Sequence, residues 1–240
     1  MNRPLTTGQS RKRRALRDVA FAKICELIVS GAIAPGERLI EESLGQRLGM
    51  SRNPVRESLK ILEREGFVTI SPYRGAVVSR IGRKEAMDIF EIRELLDSFA
   101  AAQAARTATP ADLGGLREIL QFGARAIQKG ELAKLGILNG RFHAKVHDMA
   151  GNAELSRSLE RLRLKVEWMF AGYVATRGEE AWLEHQRLAD TIAAGDAEVA
   201  GQLSKEHVAK SRLAYLELLD RGDGDDDGSK RALVVTTAST

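Results

Sequence analysis

In this chain of 240 residues the β-forming pattern is confined to one short window, and that confinement limits the fold more than any other feature. Phe67-Val68-Thr69-Ile70 and Ala76-Val77-Val78 read as two strands, joined by the turn Ser71-Pro72-Tyr73-Arg74-Gly75. After Ile81 the β signal disappears and helical spacing continues to about residue 220. The fold is therefore expected to be mainly α.

Three helices are expected ahead of the hairpin. Leu16, Ala20, Ile24, Leu27 and Ile28 recur at helical spacing, and Gly31 with Pro35-Gly36 ends that run. Glu41 to Leu48 makes a short second helix closed by Gly49. Ser51 is a good N-cap for a third helix, Arg52 to about Glu65, with Pro54 in its first turn where a missing N–H costs nothing. Three helices followed by a β-hairpin form a winged helix-turn-helix, placed at residues 16–80 behind a disordered basic arm at 1–15. Beyond it, six helices (about 83–107, 110–129, 131–150, 152–175, 178–194 and 196–220) form an antiparallel bundle, and 221–240 read as a flexible, solvated tail.

Composition narrows the function. No apolar run approaches the length of a spanning helix, and the basic stretch Met1 to Arg17 has no apolar segment behind it, so neither a membrane protein nor a secretory signal is expected. Cys25 is the single cysteine, which excludes an internal disulfide framework and a cysteine-based zinc finger and fits a reducing cytoplasm. The net charge of +4 is uneven: residues 1–80 carry 15 Lys+Arg against 8 Asp+Glu, the remainder 22 against 25. A basic first third joined to a mildly acidic remainder points to a polyanion-binding module attached to a part with another task.

The third helix has the pattern of a DNA reader. Val55, Leu59 and Leu62 form one stripe at i, i+4 and i+7, while Arg52, Arg56 and Lys60 form a second about a quarter-turn away, with Asn53 beside it. In a major groove, its first turn would bring Arg to guanine edges and Ser or Asn to phosphates. A merely solvated basic face has the same pattern.

The ordered runs Gly31-Ala32-Ile33-Ala34-Pro35-Gly36-Glu37-Arg38-Leu39, Leu48-Gly49-Met50-Ser51-Arg52-Asn53-Pro54-Val55-Arg56-Glu57-Ser58-Leu59 and Glu65-Gly66-Phe67-Val68 resemble the GntR family of bacterial transcription regulators. The family commonly has Thr where this chain has Asn53. The resemblance implies that Arg52 and Arg56 read bases and bind backbone, with Arg38, Ser51, Asn53 and Lys60 supporting them and Arg74 and Gly75 at the wing along the minor groove.

All four histidines lie in the helical remainder. Asn139 and His143 are i and i+4 on one helix, and His185 and His207 each lie on another. Three imidazoles converging from three helices, with an oxygen ligand, would suit Zn²⁺ or another borderline divalent metal. Isolated histidines with separate hydrogen bonds are the plainer alternative, and His147 is a competing ligand, being i+4 from His143. Asn139-Gly140-Arg141-Phe142-His143, Ala150-Gly151-Asn152, Glu184-His185, Gly195-Asp196 and Glu206-His207 are similar to the FCD effector domain of the FadR subfamily. That resemblance implies a metal site of Asn139, His143, His185 and His207 holding Zn²⁺, Ni²⁺ or Mn²⁺, with Asn where the family commonly has Asp. A neutral amide leaves the site more positive, which favours an anionic effector. Arg93 matches the family's inward-facing arginine, a fork for a carboxylate; its alternative is a pair with Asp97 on a solvated helix face. Trp168, Phe170 and Tyr173 read as core or cavity wall.

The resulting expectation is a cytoplasmic homodimer that binds operator DNA, acts as a repressor, and responds to a small carboxylic acid near the metal. A direct metal sensor is the alternative. A metal-dependent enzyme using the same histidines is disfavoured: Glu184 and Glu206 adjoin histidines on their helices and so point about 100° away from them, and no phosphate loop, nucleophile elbow or His-Glu-x-x-His run is present.

Overall fold

The computed structural model describes residues 7–72 and 75–223. These divide into two units, with the boundary between Arg80 and Ile81. The first contains α1 (Thr7–Val29), β1 (Arg38–Leu39), α2 (Glu41–Leu48), α3 (Arg52–Arg64), β2 (Val68–Ser71) and β3 (Gly75–Val78). Ala20, Ile24 and Ile28 of α1 are wholly buried and pack toward Val55, Leu59 and Leu62 of α3, so the apolar spacing of both helices is used. Gly49 adopts a left-handed conformation (φ 65°) that closes α2, with its N–H donating back to Gln46 O, and the tight turn then leads into α3.

Two local features differ from expectation. The first helix begins at Thr7, so residues 7–15 are helical rather than a disordered arm; nothing between Gln9 and Ala15 breaks a helix. Residues 1–6 lie outside the described residues. The hairpin is also joined by a third strand: Arg38–Leu39 pairs antiparallel with β3, giving the order β1-β3-β2. Two residues are too few for strand periodicity to reveal.

The second unit contains α4 (Arg83–Thr107), α5 (Pro110–Gln128), α6 (Lys134–Met149), α7 (Ala153–Ala194) and α8 (Ala197–Asp223). Five helices, not six, are present among the described residues. The break expected near residues 175–178 is absent, and α7 runs unbroken for 42 residues. Gly178, at the edge of the expected gap, is a packing residue: a Cβ there would lie 3.1 Å from Leu135 Cδ1 and Val174 Cγ2. One helical glycine costs only about 1 kcal/mol against alanine, less than the contacts of a long helix supply. Two boundaries carry side-chain caps: a reciprocal Thr109–Asp112 capping box starts α5, and the Asn152 side chain accepts from Glu154 N and Leu155 N at the start of α7. Helix α8 continues through residues assigned to the tail as far as Asp223, and 224–240 lie outside the described residues.

The core of this unit includes Phe90, Phe142, Met169, Phe170, Tyr173 and Trp182, with Trp168 packed partly buried against it. Helix α4 packs on α6, α7 and α8, which brings the histidine-bearing helices around one interior. At about 1.5 Å rise per residue, α7 has a contour of about 63 Å. Among the described residues, no helix is long and apolar enough to cross a membrane.

Candidate functional site

Two constellations carry chemistry, one in each unit. In the first, burying Val55, Ser58, Leu59 and Leu62 of α3 turns Arg52, Asn53, Arg56 and Lys60 outward, and all four are exposed. Ser51 occupies the N-cap position in extended conformation, but its hydroxyl makes no capping bond, contrary to the capping role expected of it. Arg52 NH2 lies 2.6 Å from Glu42 Oε2, and Arg56 Nε lies 3.6 Å from Glu41 Oε2. The arginines expected to read DNA are therefore engaged by carboxylates of α2. Such exposed pairs are worth at most about 1 kcal/mol and exchange readily for phosphate. Glu41 and Glu42 went unnoticed in the sequence because they look like ordinary first-turn acids of α2. Lys60 pairs with Glu57 at 3.2 Å. Arg38, on β1, approaches the wing: its Nε and NH2 lie 3.8 Å from where a Cβ on Gly75 would sit, and Gly75 itself has φ +69°. Arg74 lies outside the described residues.

In the second unit, His143 from α6, His185 from α7 and His207 from α8 converge, with one ring nitrogen of each within 4.8 Å of the others. All three are buried. His185 Nε2 and His207 Nε2 face each other at 3.3 Å. Glu184 Oε2 lies 2.7 Å from His207 Nδ1, so the carboxylate accepts that proton and leaves His207 Nε2 with its lone pair turned to the cluster. Arg177 and Lys210 in turn donate to Glu184 at 2.6 and 2.8 Å. Burial pushes Glu184's pKa up, but the hydrogen bonds from His207 and Lys210 and the charges around it outweigh this and hold it at about 2.

Burial pushes the pKa of His143 and His185 well below the ordinary histidine value, and that of His207 down against the opposing pull of Glu184. Neutral imidazoles are the form that ligates a cation. His143 Nε2 is buried with no hydrogen-bond partner, an orphaned acceptor that a metal would satisfy. The residues fit a borderline divalent ion.

Asn139, one turn before His143, is 3% exposed and lines the same cavity as His143 and Arg93. Its amide has no hydrogen-bond partner among the described residues. His147, the competing ligand, instead bonds Asp97 Oδ1 at 2.8 Å. Asp97 also pairs with Arg93, and both are buried, so the solvated-face alternative for Arg93 is incorrect. Burial alone would raise Asp97's pKa; the charge of Arg93 and the bond from His147 overcome it and hold it below the usual carboxylate value.

Sequence reasoning missed Glu184 as His207's partner and Asp97 as the organiser of Arg93 and His147. The i, i+4 spacing of Arg93 and Asp97 was visible, but not their burial. Glu184 had no usable signal, because its partner comes from another helix.

Residues 16–78 match the family described as bacterial regulatory proteins, gntR family, and residues 88–210 match the FCD domain. Over 136 residues the chain is 32% identical to the HTH-type transcriptional regulator McbR of Escherichia coli (strain K12), covering 57% of this chain and 62% of that one, less than two thirds of the relative's length. Over 150 residues it is 31% identical to the Nta operon transcriptional regulator of Aminobacter aminovorans, covering 59% and 70%. Its fold is similar to the solved structure of E. coli McbR/YncC, with a TM-score of 0.72 at 24% identity over 87% of this chain and 98% of that one.

Proposed function

Because this chain belongs to the gntR family of bacterial regulatory proteins and carries an FCD domain, it is a transcriptional regulator rather than an enzyme, and we propose that a small organic acid bound beside a divalent metal in its second unit sets its grip on operator DNA. The observation that carries the proposal is that Arg93, Asn139 and His143 line one cavity. A ligand there would meet a guanidinium fork and the three-histidine cluster together. His143, His185 and His207, with Asn139, would hold the ion, Zn²⁺ before Ni²⁺ or Mn²⁺, and the ion would supply a Lewis-acidic point for a carboxylate oxygen.

At the other end, Arg52 and Arg56 read base edges after leaving Glu42 and Glu41. Ser51, Asn53 and Lys60 serve the backbone, and Arg38, Arg74 and Gly75 serve the wing. The regulator acts as a homodimer, because a two-fold operator needs two heads. Ile92, Leu95 and Phe99, spaced i, i+3 and i+7 on α4 and all exposed, support association. It acts as a repressor in the bacterial cytoplasm, where the chromosome lies.

The test joins metal content to DNA affinity. Elemental analysis of chelator-free protein is expected to find one metal per chain, lost in His143→Ala. Fluorescence anisotropy on an operator obtained by in vitro selection is expected to show an acid-dependent change in Kd of at least ~5-fold, within the usual range of allosteric coupling. A response to metal alone makes the protein a metal sensor instead. No response to either removes the effector role.

A further inference from the structure

We infer that the cavity beside His143 takes an acid with two anionic ends and that Arg163 grips the second end, a conclusion that rests on the effector reading above. The space there is about 20 Å³, room for a water molecule and too small for an organic acid. Its solvent-side wall comes from α7, where side-chain exposure falls from 58% at Glu160 through 35% at Arg163 to 15% at Glu167. Arg163 Nε donates to Glu160 Oε1 at 2.8 Å, and NH1 donates to Glu167 Oε1 at 2.6 Å. Glu167 has no other hydrogen-bond partner among the described residues. Its Oε1 lies only 2.1 Å from where a Cβ on residue 140 would sit, so the carboxylate rests directly on Gly140, beside Asn139.

This wall is a latch. Glu167 is held shut by one ion pair, in a place where burial pushes its pKa up more strongly than Arg163 pulls it down. Swinging Glu167 off Gly140 returns a carboxylate to water, enlarges the cavity and frees NH1 of Arg163. Arg93, 5% exposed, also lines this cavity, and its one partner among the described residues is Asp97. With Glu167 withdrawn, Arg93 keeps Asp97, while Arg163 keeps Glu160 at Nε and loses the partner of its NH1. A ligand that meets the ion through one carboxylate leaves that NH1 without an acceptor, and a second anionic end supplies one. A half-buried guanidinium that loses an ion-pair acceptor is destabilised. The latch therefore selects for a dicarboxylate: only a ligand with a second anionic end replaces the ion pair that its entry breaks.

Isothermal titration of zinc-loaded full-length protein with succinate, and with butyrate as its monocarboxylate counterpart, tests this. Succinate is expected to bind at least tenfold more tightly than butyrate. Arg163→Gln, at a partly exposed position, is expected to erase that preference; Arg163→Lys, which keeps the charge but not the fork, should fall between. Glu167→Gln, which removes the competing carboxylate charge, should bind succinate more tightly than wild type. Equal affinities in the wild type, or a preference that survives Arg163→Gln, would overturn the role of Arg163 while the effector reading stands. Failure of both acids to bind would remove the effector reading together with this inference.

Discussion

Replacing Asp97 with Asn isolates the buried charge network that orients Arg93. Asp97 is 2% exposed and Arg93 5%, so neither reaches water that could solvate it alone. The substitution keeps the volume and leaves one carbonyl oxygen to accept from Arg93, but it strips the counter-charge from a buried guanidinium. Two unit charges about 4 Å apart attract by ~4 kcal/mol at an effective dielectric constant near 20. Removing one member of a buried pair typically costs ~3–5 kcal/mol, because the other stays buried and uncompensated. The residual amide contact favours the lower end, so Asp97→Asn is expected to lose ~3 kcal/mol in urea unfolding, or about 6–12 °C in Tm for a chain of this size. The pH dependence gives a second reading. Asp97's folded pKa lies below its unfolded value, so its stabilisation is complete above the unfolded value near 4 and is lost as pH falls through the folded one. Wild type should lose this component on acidification and the variant should lack it. A stability change under ~1 kcal/mol, or unchanged acid sensitivity, would refute the claim that Arg93 is held in a water-excluded site by Asp97.

Glu184→Gln should weaken zinc affinity by ~10–100-fold in competition with a chromophoric chelator, since it removes the carboxylate that orients His207; unchanged affinity in folded protein would discard that role. Arg52→Ala should lose ~1–3 kcal/mol of operator binding and relax base preference in fluorescence anisotropy, whereas Glu42→Gln, by releasing Arg52, should tighten DNA binding by at most ~1 kcal/mol; the opposite ordering would mean that the pair is not opened on DNA. Thr109→Ala, which breaks the capping box of α5, should cost ~1 kcal/mol in thermal unfolding, and no loss would show that the cap is idle. Its partner Asp112 is held at about 2 by hydrogen bonds from Lys145 and Thr109, so that contribution persists in mild acid and fades only as pH falls from about 4 toward 2.

Local pattern made much of this protein legible. The stripe Val55, Leu59 and Leu62 defined which face of α3 is buried, and so which face presents Arg52 and Arg56, because helical geometry sets side-chain direction from spacing alone. Asn139 and His143 likewise had to share a face of α6. Periodicity failed at Thr7–Ala15, where a polar sequence forms helix, near residues 175–178, where α7 continues without a break, and at Arg38–Leu39, where a strand exists only through pairing with β3.

What the tertiary structure decided is which atoms meet between helices. That His207 leans on Glu184, that Asp97 holds both Arg93 and His147, and that Glu167 rests on Gly140 all depend on how the helices are rotated and spaced against one another. No local repeat encodes those quantities. They follow from packing the whole core at once, so the sequence alone could name residues of the site, and the folded chain was needed to show how they are joined.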